Sequence, residues 1–313
     1  MQRLLKNREW LLAGVLHVMI AGFAMRAPGF GRPGNLVNIF NDTSILIILA
    51  LGQMVVILTK SIDLSVAANL AFTGMAVAMT NAAFPGIPLP LLIVMAVGIG
   101  AFLGSLNGVL VWWLGIPPIV VTLGTLTIYR GMAFVLSGGG WVNAHQLSPT
   151  FLNVPRTMLL GMPVLSWVAI LIIAGAWLVL GRTSFGRSAY ASGGNPSAAV
   201  YAGIDVGRTR FFAFVLSGAL AGLASYLWVS RYAVAYVDIA AGFEGLYLQA
   251  HFTEFVDGIH PAEPASDDRH VELPDARIAV SCHIRAAHDL FLFIPTHRKS
   301  IPSPSGSQRA EQG

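Results

Sequence analysis

The sequence predicts an all-α fold, a polytopic helical membrane protein of about seven spans with a poorly ordered polar tail. Three observations carry this reading. Of 313 residues, 55% are hydrophobic and only 11% charged, with a mean hydropathy of +0.68; that profile belongs to multi-span membrane chains. Apolar windows close to the ~20 residues needed to cross the hydrocarbon core recur along the chain. A sharp compositional break then divides a membrane part, residues 1–250, from a tail, residues 251–313. The first carries thirteen Lys/Arg against six Asp/Glu, and the second six against nine, with six of the eight histidines. The net charge of +4 is thus +7 from the membrane part and −3 from the tail.

The windows fall at about 10–27, 43–59, 64–84, 89–114, 117–137, 159–180 and 211–229. Arg3, Lys6 and Arg8 precede the first, and the AMRAPGFGR that follows is a poor cleavage site, so an uncleaved first span is expected. The second and third are separated only by Lys60-Ser61-Ile62-Asp63, which predicts a kinked or re-entrant connection. Gly98, Gly100, Gly104 and Gly108, with Gly218 and Gly222, are small residues of the kind that let membrane helices pack closely. With the N-terminus in the cytoplasm, six spans return the chain there at residue 181. Arg182, Arg187, Arg208 and Arg210 then lie inside, while the outer loops 80–90 and 138–158 carry only Arg156. This arrangement obeys the positive-inside bias. The basic balance is the ordinary consequence of that bias, and nucleic acid is not implied.

The loop 181–210, GRTSFGRSAYASGGNPSAAVYAGIDVGRTR, is a polar, basic island between two apolar runs. Within it, 195–203 reads as a short helix. Asn195 suits the cap, Pro196 the first helical position, Ala198 and Ala199 the interior and Gly203 the closing turn. Gly193-Gly194 in front allows a tight turn. A solvated connector is the competing reading.

GRTSFGRSAYASGGNPSAAVYAGI resembles the cytoplasmic signature of monosaccharide-type ABC importer permeases, the ribose, xylose, rhamnose and autoinducer-2 group. ALGQMVVILTKSIDLSVAANLAFTGM at 50–75 is similar to that family's segment around an Ile-Asp-Leu-Ser core. GIPPIVVTLGTLTIYRGMAFVLSGG at 115–139 is similar to its Pro-Pro-x-x-Val-Thr-Leu-Gly span. The resemblance implies that 195–203 is a coupling helix inserted in a cleft of a separate ATP-binding subunit, whose closure tilts the membrane helices. It implies a second permease subunit, in a homo- or heterodimer, and a periplasmic sugar-binding protein as further partners, with lipid around the spans of a bacterial inner-membrane protein. Many members have glycines flanking the Ile-Asp-Leu-Ser core, where this chain has Lys60, Ser61 and Ala67. The run IDLSVAANLAFTGM is most similar to the rhamnose-type branch, so rhamnose or a pentose is the expected cargo.

No ATP site of its own is expected. The three lysines are Lys6, Lys60 and Lys299, and none follows a glycine as a phosphate-cradling loop requires. Asp63 reads either as a cap for the helix beginning at Leu64, with Ser61 as a second candidate, or as an ionisable group lining a pathway. Asp42 reads as interfacial. Sugar passage calls for hydroxyl, amide and aromatic side chains, and Ser65, Asn69, Thr73, Asn107, Thr122, Thr125 and Tyr129 are the candidates, with Trp112 and Trp113 near an interface. Arg130, unusual in an apolar run, either snorkels or faces a water-filled cavity. Cys282 is the single cysteine, so no internal disulfide forms, and with His283 and His288 it makes a poor metal set. Neither a metal, a cofactor nor a catalytic site is expected.

The tail has no window long enough to span, and its Pro/Ser/Arg-rich end reads as poorly ordered. The break points to a frameshift or similar rearrangement as its source. The main alternatives to an importer subunit are an ion-gradient-driven carrier using Asp63 and Arg130, and a truncated, non-functional permease. No paired inverted repeat supports the carrier.

Overall fold

A computed structural model of the protein describes residues 8–27 and 29–241. Its long helices follow the expected windows: α1 Arg8–Arg26, α2 Pro33–Leu58, α3 Val66–Ala83, α4 Leu89–Trp112 and α5 Pro118–Ser137. After a short α6, Pro149–Asn153, come α7 Val164–Arg182, α8 Ser184–Gly194, α9 Pro196–Tyr201 and α10 Val206–Tyr232. Among the described residues six helices, α2, α3, α4, α5, α7 and α10, are long and apolar enough to cross a membrane by length and composition. The tail expected at 251–313 lies outside the described residues.

Prolines set several starts. Pro33 and Pro118 occupy the first helical positions of α2 and α5, where a missing N–H costs nothing. Gly138 closes α5 in the left-handed region at φ +59. The α2 helix begins ten residues before its window, taking in Asn35, Asn38, Asn41 and Asp42. Two of those polar residues find partners on other helices: Asn41 accepts from the Ser166 hydroxyl at 3.3 Å, and Asp42 pairs with Arg231. The window at 159–180 starts too early. Met158–Leu159 (β2) and Met162–Pro163 (β3) form a hairpin around Leu160-Gly161, both at positive φ, and α7 begins only at Val164.

The spans alternate. The link 59–65, residues 113–117 and the α8–α9 segment lie at one end; residues 138–163 and 233–241 lie at the other. At that second end Val142–Asn143 (β1) pairs antiparallel with Val234–Ala235 (β4). Arg156, the one cation of the loop 138–158, donates to the Ser230 and Arg231 carbonyls at 2.7 and 3.0 Å and so covers the C-terminus of α10.

The tightest pairing of long helices is α4 with α10. An added Cβ at Gly100 would collide with the Gly218 carbonyl oxygen, one at Gly104 with that of Phe214, and one at Gly222 with that of Ala96. The two backbones therefore touch, the way helices associate where lipid removes the hydrophobic driving force. Gly98 faces open space and is off the seam. On the outside, Val94, Phe102, Val135, Leu171 and Trp177 are exposed, the apolar surface a lipid-facing wall requires.

Candidate functional site

Two groups of residues stand out, one on the α8–α9 surface and one buried between the α2–α3 link, α4 and α5.

The helix expected at 195–203 is present as α9. Asn195 Oδ1 accepts from the Ala198 N–H at 3.1 Å, Pro196 takes the first position, and Gly203 turns at φ +80. Ile204 N–H then reaches the Ala199 carbonyl at 2.9 Å and Gly203 N–H the Val200 carbonyl at 2.9 Å, so the helix is tied at both ends. The tight turn expected at Gly193-Gly194 is instead the last turn of α8, a helix that three glycines conceal in the sequence. Thr183 caps it by accepting from Gly186 N–H at 3.2 Å. Gly186 and Gly193 are needed for approach: a Cβ would strike the Leu180 carbonyl at the first and the Leu58 carbonyl at the second. Gly194 has open space around it.

Ala199 is buried, whereas Val200 is 60% and Tyr201 93% exposed. These two adjacent exposed side chains project from a capped helix in a polar segment, and they were not legible in the sequence because their adjacency carries no periodic signal. Of the arginines around the base, Arg182 lies over Trp177 at 5.6 Å and Arg208 over Phe212 at 5.8 Å. Arg210 Nε donates to the Thr59 carbonyl at 3.3 Å.

The second group gathers most of the expected pathway residues. Asp63 is 3% exposed; its Oδ1 accepts from the Ser65 backbone N–H at 2.9 Å and the Ser65 hydroxyl at 2.6 Å, turning the chain into α3. The helix starts at Val66 and not at Leu64, with Ser65 in the cap position, so Asp63 closes the turn just ahead of α3 and does not cap it, while Ser61 accepts from the Thr59 hydroxyl at 3.3 Å. Gln53 on α2 donates to the Asp63 carbonyl at 2.8 Å. Asn107 on α4 donates to the Ser65 hydroxyl at 2.7 Å and accepts from Tyr129 on α5 at 3.4 Å. Thr122 donates to the Ile62 carbonyl at 3.2 Å. Asn69 reaches the Gly100 carbonyl at 3.1 Å and accepts from Thr73 at 3.1 Å, joining the group to the α4–α10 seam. Burial holds the Asp63 carboxyl above the usual carboxylate range, opposed by its two bonds from Ser65.

Two candidates stand apart. Thr125 is buried but spends its hydroxyl on its own helix, at the Val121 carbonyl 3.1 Å away. Arg130 points toward the opposite end, where it donates to the Val237 carbonyl at 3.0 Å and lies 3.5 Å from Asp238. At that end a cavity of about 310 Å³ is lined by Met75, Met79, Ser137, Trp141 and Gln146, with Trp141 stacked on Tyr236 at 5.2 Å. No group of three or more metal-ligating side chains occurs among the described residues, and Cys282, His283 and His288 lie outside them.

Spans packed through backbone contact, with a capped helical protrusion at one end and a buried polar knot beside it, describe a multi-pass helical membrane protein. The chain belongs to the permease family described as "Branched-chain amino acid transport system / permease component", which it matches over residues 35–253. It is 41% identical over 194 residues to the autoinducer 2 import system permease protein LsrC of Yersinia enterocolitica, covering 62% of this chain and 52% of that one. It is 39% identical over 229 residues to the LsrC of Escherichia coli (72% and 65%), and 38% identical over 255 residues to that of an Enterobacter species (80% and 71%). The chain therefore spans about half to two thirds of the length of such relatives. No solved structure matches it.

Proposed function

We propose that the chain is the membrane subunit of an ATP-driven ABC importer of the bacterial inner membrane, with autoinducer 2 as cargo. The observation that carries this reading is α9 itself, capped at both ends and presenting Tyr201 almost fully exposed. A solvated connector has no need of a preformed helix with a bare apolar tip. In this account Val200 and Tyr201 enter a cleft of the ATP-hydrolysing subunit, and Gly193, Gly194, Asn195, Pro196, Ala198, Ala199 and Gly203 shape the segment that presents them. Energy comes from that subunit, a periplasmic binding protein delivers the cargo, and a second permease subunit completes the pore. The cavity at Trp141 lies at the end where cargo arrives, and the Asp63, Ser65, Asn69, Asn107, Thr122 group lines the inner part of the route. Autoinducer 2 is preferred to rhamnose or a pentose because the relatives carry that name.

The test is uptake into proteoliposomes holding the chain with the ATP-hydrolysing and binding proteins encoded beside it. Autoinducer 2 should accumulate only with ATP on the α9 side, insensitive to an uncoupler and to excess rhamnose. Uptake without the ATPase subunit, collapsing with an uncoupler, makes the chain a gradient-driven carrier. Arg130 bonded far from Asp63 already weighs against those two as a coupled pair.

One observation favours a second reading. The family match stops at residue 253, beside the change of composition after residue 250. In this reading residues 251–313 derive from a frameshift, and the chain docks its ATPase partner without transporting. Resequencing the locus tests it: an intact upstream frame, with no alternate-frame continuation of the family pattern, sinks the idea.

A further inference from the structure

At the α8–α9 end, two cations hold the α2–α3 link, one to the last turn of α8 and one to α10. Lys60 Nζ donates to the Gly194 carbonyl at 3.3 Å, on the last turn of α8. Arg210 Nε donates at 3.3 Å to the carbonyl of Thr59, the residue that closes α2. Each positive charge therefore sits on the negative end of a helix other than its own, a favourable placement. Between them the backbones of Gly193 and Leu58 are in contact, with no room for a Cβ on the glycine.

Lys60 reaches Gly194 from the left-handed backbone region, at φ +53, where side chains other than glycine are uncommon. A lysine held there and still bonded across 134 residues of sequence is a placed side chain. What it holds is the near end of a short, stiff path. Three residues on, the Asp63 carbonyl is fixed by Gln53 and the Asp63 carboxyl by Ser65, whose hydroxyl accepts from Asn107 on α4. Ile62, between them, is bonded to Thr122 on α5. A shift of α8 at Gly194 thus pulls on a link whose other end is the buried group touching α2, α3, α4 and α5. The α7 and α10 helices also pack against this segment, and α10 holds Thr59 through Arg210, but neither makes a side-chain bond to the Asp63 group among the described residues.

We infer that Lys60 is a positioning residue, relaying displacement of the α8–α9 segment to the Asp63–Ser65–Asn107 group. The inference rests on the proposed docking of an ATPase subunit on α9. The Lys60 bond is exposed and single, so it strengthens or weakens readily as Gly194 moves, which suits a relay better than a permanent strut.

The experiment is amide hydrogen exchange over residues 60–66 of the full-length protein in nanodiscs, with and without the ATP-loaded subunit encoded beside it. Wild type, Lys60→Met, Lys60→Gly and Lys60→Arg are compared, and retention of the subunit is measured on the same samples. In wild type, binding should change exchange of these amides by about threefold or more, the scale of one hydrogen bond made or lost. Lys60→Met and Lys60→Gly should retain the subunit and lose the response, and Lys60→Arg should restore it. Lys60→Gly keeps the left-handed backbone without strain, so its loss of response cannot come from misfolding of the link. A response unchanged in both Lys60→Met and Lys60→Gly, or absent from wild type with the subunit bound, overturns the relay. A wild-type chain that retains no subunit overturns the docking reading, and the relay with it.

Discussion

At Lys60, Arg156 and Arg210 a scarce cation is spent on helix-end carbonyls, at Gly194, at Ser230 and Arg231, and at Thr59. Each location satisfies acceptors that a helix leaves unpaired at its C-terminus. Asp63 bonds the turn just ahead of α3. Replacing it by alanine strands the Ser65 N–H and hydroxyl and should cost about 1–2 kcal/mol, read as a lowered thermal midpoint in detergent. Asn at the same place keeps the acceptor oxygen and should recover most of that loss. The pH dependence has a definite sign. With its carboxyl raised above the 3.8 of a free aspartate, folded Asp63 binds its proton more tightly than the unfolded chain does. Its contribution is full below that value and is lost as pH rises through the raised one. Asp63→Asn should therefore flatten the fall in midpoint over that window, and an unchanged slope contradicts the assignment. That Asp63 stands at the turn into α3 was legible in sequence from an acid directly before an apolar run. That Asn107 and Tyr129 join its group through Ser65 was not, because they lie 44 and 66 positions further along and only packing brings them in.

Among the elements, the α4–α10 seam shows how far residue spacing can be read. A spacing of four picks out Gly100, Gly104 and Gly108, and these face α10; Gly98 shares the composition but lies on another face. Gly218→Ala should force the two helices apart and cost about 1–3 kcal/mol. Gly98→Ala should be neutral or slightly stabilising, since Ala is the better helix former and nothing lies within 4 Å. Comparing the two midpoints checks the seam, and equal effects contradict it. The α8 helix was hidden for the converse reason. Gly186, Gly193 and Gly194 lower its intrinsic propensity, and it stands because Gly186 and Gly193 let it lie against Leu180 and Leu58. By contrast α9 announced itself, since Asn, Pro and Gly at its ends are local signals that need no tertiary help. Lys60 explains one departure from the resembled family. The backbone at Lys60 is left-handed, a conformation glycine adopts freely, and lysine accepts a strain on the order of 1 kcal/mol. Lys60→Gly should raise the midpoint while weakening the tie to α8.

For the molecule as a whole, alternation of spans could be read from hydropathy, since every stretch of bilayer-crossing length is helical. Its mechanism could be read only in part. The exposed Val200 and Tyr201 sit side by side on a short helix, and the buried polar group is assembled from four elements. Both lie within residues 35–253, the part that makes the chain a permease of its family. The central claim is that α9 is where an ATP-hydrolysing subunit binds, and Gly194 and Ala198 are the places to test it. Both are exposed, and Gly194 has open space, so charges there alter the surface and leave the fold intact. The direct measurement is co-purification of the neighbouring ATPase subunit with the wild-type chain and with Gly194→Asp plus Ala198→Glu. Wild type should retain the subunit, and the double variant, with an unchanged thermal midpoint, should lose at least about tenfold in affinity, the equivalent of ~1.4 kcal/mol. Equal retention by both proteins contradicts the account.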